Sequence, residues 1–318
     1  MRIGTVWHAG EPTMALAHEN KVLSLKGAVS NLVSSTLAAR LPATVKELLA
    51  FGPEALESVR RAANALEAGA KISQSAIIGG VDEVDLLPPL QPGKLICLAG
   101  NYAEHLEEGG TQRAPEKETT NPWLFSKPVS TGLIGPGDTV ILPHITDSID
   151  WEVELGIVMG QRAKYVSASE AENYIAGYTI FNDISARKLN LAPHRTQRPM
   201  DGFYDWLTGK QMDTHACMGP WVVTSDAIGD PQNLGIKLSV NGQLKQDSST
   251  SRMIFFIPEI VEFVTKVMTL EPGDVIATGT PAGVGATKGD YLKDGDLIEA
   301  EIENIGKLRN PVAAENPE

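Results

Sequence analysis

The stretch Asp150-Trp151-Glu152-Val153-Glu154-Leu155-Gly156-Ile157-Val158-Met159-Gly160 decides how this chain is read. Its β-branched and apolar residues, closed by Gly160, predict a strand. A strand turns alternate side chains to opposite faces, so Glu152 and Glu154 share one face while Val153, Leu155 and Ile157 share the other. Taken alone, such a pair of glutamates reads as a solvated face opposite a buried one. Within a half-buried strand the two carboxylates would repel strongly, because a low dielectric magnifies their interaction. A shared proton or a hard divalent cation would relieve the repulsion.

The 318 residues suffice for roughly two domains. With 42% hydrophobic and 21% charged residues, the composition is that of a soluble globular protein. No apolar run reaches the roughly 18 residues of a membrane span. The first residues, Met1-Arg2-Ile3-Gly4-Thr5-Val6, predict a strand and not a signal peptide. Cys97 and Cys217 lie far apart in apolar surroundings, which predicts reduced core thiols and a cytoplasmic protein. A formal net charge of −13 argues against nucleic-acid binding. An anionic substrate would need a locally positive site.

Residues 1–90 predict a small N-terminal α/β domain, with strands at 2–7, 13–18 and 21–24 and helices near 44–50 and 53–68. The second helix has Pro53 and Glu54 in its first turn, then Leu56, Val59, Ala63 and Leu66 at helical spacing. His8 and His18 carry no pattern of ligation. The Pro-rich run from Leu86 to Gly93 reads as a linker into a main domain over 91–318.

That domain opens with a buried strand at 94–99 and the run Gly100-Asn101-Tyr102-Ala103-Glu104-His105-Leu106-Glu107-Glu108. On a helix His105 and Glu108 share one face, as a base and its orienting carboxylate would. Residues 107–121 are polar and Gly-bearing, which predicts a lid carrying that base. Lys127 emerges from an apolar strand and is either snorkelling or aimed at an anion. Ser167 and Glu170 have capping-box spacing and predict a helix over about 168–176. The next strand ends at Asp183, a third oxygen ligand beside Glu152 and Glu154. Three carboxylates suit Mg²⁺, Mn²⁺ or Ca²⁺ better than Zn²⁺. A second polar stretch covers 188–206. Asn241-Gly242 predicts a tight hairpin, and Pro258 opens an apolar helix. The loop Gly279-Thr280-Pro281-Ala282-Gly283-Val284-Gly285 lacks the Lys-Ser/Thr of a nucleotide P-loop, but its glycines let backbone N–H groups approach a carboxylate.

In this order, Gly100-Asn101-Tyr102…His105…Glu108, Phe125-Ser126-Lys127-Pro128, Glu152-Val153-Glu154-Leu155, Asn182-Asp183-Ile184-Ser185-Ala186-Arg187, Lys210…Asp213-Thr214 and the loop at 279–285 resemble the fumarylacetoacetate hydrolase superfamily, in its acylpyruvase-like branch, over residues 93–312. The resemblance implies an α+β fold whose catalytic domain is a mixed β-sandwich roll, a homodimer, and one Mg²⁺ or Mn²⁺, with Ca²⁺ a possible substitute in a crystal. It implies metal ligands at Glu152, Glu154 and Asp183, a catalytic pair at His105 and Glu108 on a closing lid, and a site lysine at Lys210. Gly279 and Thr280 would contact substrate, with Tyr102, Lys127 and Arg187 as further candidates. Asn190 stands where many relatives carry a substrate-facing glutamine.

The expected reaction is hydrolysis of a carbon–carbon bond in a small anionic 2,4-dioxo acid, an acylpyruvate or a fumarylpyruvate-like compound. His105 would deprotonate the water, the metal would take up the charge of the enolate, and Lys210 would stabilise the oxyanion or hold the substrate's charge. The same site could support oxaloacetate decarboxylation, tautomerisation, or hydration and isomerisation of a 2-oxo-enoate. A non-catalytic metal-binding scaffold is the alternative of a different class. Neither nucleic acid nor membrane is an expected partner.

Overall fold

The computed structural model describes residues 1–110, 117–189, 191–192 and 194–316, and Pro53 by its backbone alone. Asn190 therefore lies outside the described residues, as does the middle of the expected lid.

A mixed α+β fold is built on one large sheet. Its main path runs Ile77–Gly80, Lys21–Ser24, Glu11–His18, Arg2–His8, Ala216–Thr224, Ile175–Asp183, Val153–Met159, Val275–Ala277, Leu95–Ala99 and Trp123–Ser126. Asp85–Leu86 and Leu133–Ile134 pair beside this path, giving 12 strands among the described residues. The sheet passes from the N-terminal strands into the rest of the chain through Arg2–His8, which pairs antiparallel with Ala216–Thr224. A second sheet of five strands holds Gln243–Ser249, Gly235–Val240, Leu297–Ile302, Gly306–Ala314 and Val140–Leu142. The hairpin between its first two strands turns at Asn241 and Gly242, both at positive φ (52° and 73°), as the Asn-Gly pair predicts.

The strand Val153–Met159 is covered on both faces. Val153, Leu155, Ile157 and Met159 belong to a core shared with the five-stranded sheet and the helix Ile257–Val267. Val158, on the opposite face, packs in a core with Val29, Val45, Leu48 and Val59 from the N-terminal helices. Each fully buried Leu or Ile contributes about 2 kcal/mol of apolar burial. A central strand buried on both faces is a near-continuous apolar run, so Glu154 within it and Glu152 just before it cannot be a solvated face. Glu152 and Glu154 are 4% and 1% exposed.

Three local expectations change. Residues 168–174 form a 3₁₀ turn, not a full helix, and the chain enters its strand already at Ile175. The Ser167 hydroxyl bonds the Glu170 side chain and caps no backbone N–H, while pairing of Ile175 with Met159 draws the following residues into the sheet. Helices Leu25–Leu32 and Ser35–Arg40 arise where no helix is read from the sequence. The two polar stretches hold structure at their ends: Ala103–Glu108 is a helix, Lys117–Thr119 a 3₁₀ turn, and Asp201–Thr208 a helix bearing Phe203 and Trp206.

Candidate active site

The antiparallel pairing of Val153–Met159 with Ile175–Asp183 places Val153 opposite Asn182. That register brings Asp183 beside the glutamates. One oxygen from each of Glu152, Glu154 and Asp183 lies within 4.8 Å of the others, and all three residues are buried. Asn182 adds a brace, because its side-chain oxygen accepts the Glu152 N–H at 2.9 Å. Gln246 adds another by accepting the Val153 N–H at 3.0 Å, between the two glutamates.

Buried carboxylates need partners. Lys210 Nζ donates to Glu152 Oε2, Asp183 Oδ2 and Ser185 Oγ, each at 2.7 Å. Lys127 Nζ bonds Asp183 and donates to the Ile184 carbonyl at 2.7 Å. Arg187 bridges Asp150, through Nε at 2.8 Å, and Glu152. Gly279 N–H donates to Glu154 Oε2 at 2.7 Å. Burial works against charge on Glu152, but Arg187 and Lys210, helped by His105, outweigh it and hold that carboxyl well below its usual range. Burial, then the charges of Asp183 and Glu152, push Glu154 well above it. Burial likewise opposes charge on Lys210, but Asp183 and Glu152 prevail and raise its pKa.

Four buried carboxylates thus face three cationic side chains, leaving one negative charge in excess. A proton on Glu154, whose pKa is raised, would relieve the excess. A divalent cation would do so more completely and would leave a positive balance that attracts an anion. Three convergent carboxylates are the donor chemistry of a hard cation such as Mg²⁺ or Mn²⁺, so the residues fit the group.

His105 and Glu108 meet as their helical spacing predicts, Nδ1 to Oε1 at 3.0 Å. Glu108 is itself gripped by the N–H of Gly283 at 2.9 Å, with Val284 N–H at 3.4 Å. Burial opposes ionisation of Glu108, but the His105 hydrogen bond and the Gly283 N–H outweigh it and hold the carboxyl below its usual range. An ionised carboxylate only accepts, so this contact assigns the imidazole proton to Nδ1 and leaves Nε2 as the base. His105 lines a cavity of about 800 Å³ together with Glu152, Arg187, Lys210 and Thr280.

The loop after the strand Val275–Ala277 organises these parts through its backbone. Gly279 holds Glu154, Gly283 and Val284 hold Glu108, and Gly285 and Ala286 hold Asp150 at 2.7 and 2.9 Å. Three glycines here are required by space. Gly279 has φ +90° and a Cβ there would meet Asn101 at 2.8 Å, one on Gly283, at φ +106°, would meet the Lys245 carbonyl at 2.1 Å, and one on Gly285 would meet the Asp290 carbonyl at 1.8 Å.

This geometry also places the other expected site residues. An ammonium has three donors, and all three of Lys210 are spent on Glu152, Asp183 and Ser185, so it braces the carboxylates and has none left for an oxyanion. Lys127 is enclosed against Asp183 and is not a cavity-lining residue. Tyr102 is wholly buried, is not among the lining residues, and its hydroxyl has no hydrogen-bond partner among the described residues. Gly279 has given its N–H to Glu154, and the Thr280 hydroxyl donates to the Val153 carbonyl at 2.9 Å. Arg187 is the cation that faces the cavity with donors to spare, two of its five being engaged among the described residues. Sequence reading gave no role to Asp150, Asn182 or Gln246. A carboxylate, an amide and a glutamine in or near strands look alike whether they face solvent or a buried N–H. The aromatic wall of the cavity, from Phe125 and Trp206, was equally unannounced.

A family model described as Fumarylacetoacetate (FAA) hydrolase C-terminal matches residues 94–313. The mitochondrial oxaloacetate tautomerase Fahd2a of Rattus norvegicus is 36% identical over 307 residues, 96% of this chain and 88% of that one. The solved fumarylacetoacetate hydrolase of Exiguobacterium antarcticum superposes with a TM-score of 0.76 at 31% identity, covering 99% of this chain and 100% of that chain. The maleylpyruvate hydrolase of Sphingobium sp. SYK-6, solved with manganese (II) ion and pyruvate, gives a TM-score of 0.73 at 27% identity over 99% and 100% of the two chains. With the family model spanning most of its length and a relative aligned along nearly all of it, the chain belongs to the fumarylacetoacetate hydrolase family.

Proposed function

We propose that this enzyme moves a proton at the carbon next to the 2-oxo group of a small anionic 2-oxo acid, interconverting its enol and keto forms. The observation that carries the reading is the His105–Glu108 pair on the wall of the cavity that also exposes Glu152 and Arg187. The substrate's carboxylate takes the donors that Arg187 has free. Glu152, Glu154 and Asp183 would hold Mg²⁺ or Mn²⁺, which when bound supplies a Lewis acid for the oxygens of a 2-oxo acid. His105, its Nδ1–H fixed by Glu108, carries the proton at Nε2. In the ketonising direction it receives the enol proton and delivers one to the carbon, so no atom or charge is gained or lost. The tautomerase activity in the rat relative's name supports this order of readings.

The test uses metal-loaded protein and the ultraviolet absorbance of enol-oxaloacetate. His105→Ala should lower kcat about 10²- to 10⁴-fold, the usual share of general acid–base catalysis, with thermal unfolding and metal affinity unchanged. Wild-type turnover in that variant would refute the role.

Hydrolysis of a carbon–carbon bond in an acylpyruvate-like 2,4-dioxo acid is a second reading. The cavity's volume favours it, because about 800 Å³ is far more than a four-carbon acid fills. In that case His105 deprotonates water, and product analysis would find pyruvate and a second carboxylic acid. A homodimer accompanies either reading and is checked by light scattering.

A further inference from the structure

Three aromatic rings climb from the carboxylate cluster to the mouth of the cavity. Lys210 Nζ lies 5.2 Å from the Phe125 ring centroid and 5.8 Å from that of Trp206. Phe125 meets Trp206 edge-on, with centroids 5.2 Å apart and planes at 73°. Trp206 stacks on Phe203 at 6.0 Å and 30°. Phe125 is buried, Trp206 half-buried and Phe203 51% exposed, so the row begins inside and ends in solvent. Trp123, 62% exposed on the same edge strand as Phe125, lines the mouth as well.

Two separate elements build this row. Phe125 comes from the strand Trp123–Ser126, and Phe203 and Trp206 sit three residues apart on the helix Asp201–Thr208, which sets them on one face. Scattered exposed apolar side chains are ordinary, but stacked rings forming one wall of a cavity mark a ligand-binding surface. The charged groups of the cavity gather at the inner end, around Glu152, Arg187 and Lys210. A substrate anchored there by its carboxylate extends along the rings. Planar groups stack on such rings at centroid separations of about 4.5–7 Å.

We infer that the substrate is a 2-oxo or 2,4-dioxo acid whose end remote from the carboxylate is an aromatic ring, seated on Phe125, Trp206 and Phe203. This rests on the reading of the site as one that acts on 2-oxo acids.

The test compares kcat/KM of the metal-loaded protein for the enol forms of phenylpyruvate and oxaloacetate, in wild type and in Trp206→Ala and Trp206→Leu. Binding of both acids to metal-loaded His105→Ala is followed by quenching of tryptophan fluorescence. The wild-type ratio should favour phenylpyruvate by about 10-fold or more, and each Trp206 variant should narrow it by about 10- to 100-fold, as expected for loss of contacts in an apolar pocket. A ratio at or below one, or one that neither variant moves, overturns the inference while turnover of oxaloacetate leaves the proton-transfer reading standing. Tighter binding of phenylpyruvate with no turnover of either acid sinks that reading and supports the seat for the ring. No binding of phenylpyruvate overturns the inference.

Discussion

Replacing Asp150 by asparagine should destabilise the protein and loosen its metal site together. Asp150 is wholly buried and accepts four hydrogen bonds. Its Oδ1 takes Trp151 N–H at 2.8 Å and Gly285 N–H at 2.7 Å, and its Oδ2 takes Ala286 N–H at 2.9 Å and Arg187 Nε at 2.8 Å. An amide keeps one acceptor oxygen and turns an NH₂ toward the other pair of donors. Whichever way the asparagine is flipped, two donors face a donor. The Arg187 guanidinium also loses one of its two carboxylates. Breaking one side of a buried ion pair costs about 3–5 kcal/mol.

With a urea slope of about 3 kcal/mol per molar, that cost lowers the unfolding midpoint by about 1 to 1.7 M. Arg187 would then brace Glu152 less well, and loss of such an outer support weakens metal binding by about 10- to 100-fold. The assays are urea unfolding followed by circular dichroism and calorimetric titration with Mn²⁺. A midpoint within about 0.2 M of wild type at equal slope, together with unchanged Mn²⁺ affinity, would refute the reasoning, since about 0.5 kcal/mol is what a surface substitution usually costs.

Calorimetric Mn²⁺ titrations near neutral pH, in buffers of different ionisation enthalpy, should reveal proton release on binding, and affinity should weaken as pH falls. The raised pKa of Glu154 makes a proton compete with the metal for its carboxylate, and pH-independent affinity would contradict this. His215 is buried and its pKa is pushed down to about 4, first by desolvation and then by Lys127. The unfolded chain, with an ordinary histidine pKa near 6.5, binds the proton first, so stability is full above about pH 6.5 and falls by about 3 kcal/mol as pH drops toward 4. His215→Gln should flatten that part of the pH–stability profile, and an unaltered slope would show that other groups cause it. Gly285→Ala puts a methyl 1.8 Å from the Asp290 carbonyl and 2.8 Å from Asp150 Oδ1. It should lower the melting temperature by several degrees and activity with it, and a variant indistinguishable from wild type in both would show that the loop gives way without consequence.

What the sequence determined by itself was the chemistry and its local placement. Alternation along a strand sets Glu152 and Glu154 on one face, helical spacing sets Glu108 against His105, and Asn241-Gly242 turns a hairpin, because each depends on residues within a few positions of one another. The tertiary structure alone decided how those groups are wired. Asp183 joins the glutamates through a strand register, and Lys210, on the cavity wall, braces two carboxylates and a hydroxyl with its three protons. Arg187 keeps donors toward the cavity while pairing Asp150 and Glu152, and backbone N–H groups of the loop at 279–286 grip Glu154, Glu108 and Asp150. The helix expected over 168–176 yields to a 3₁₀ turn because Ile175 finds a strand partner in Met159. Hydrogen bonds to the backbone, and contacts between residues far apart in the chain, leave no mark in side-chain pattern, so only the folded chain shows which donors are spent and which remain.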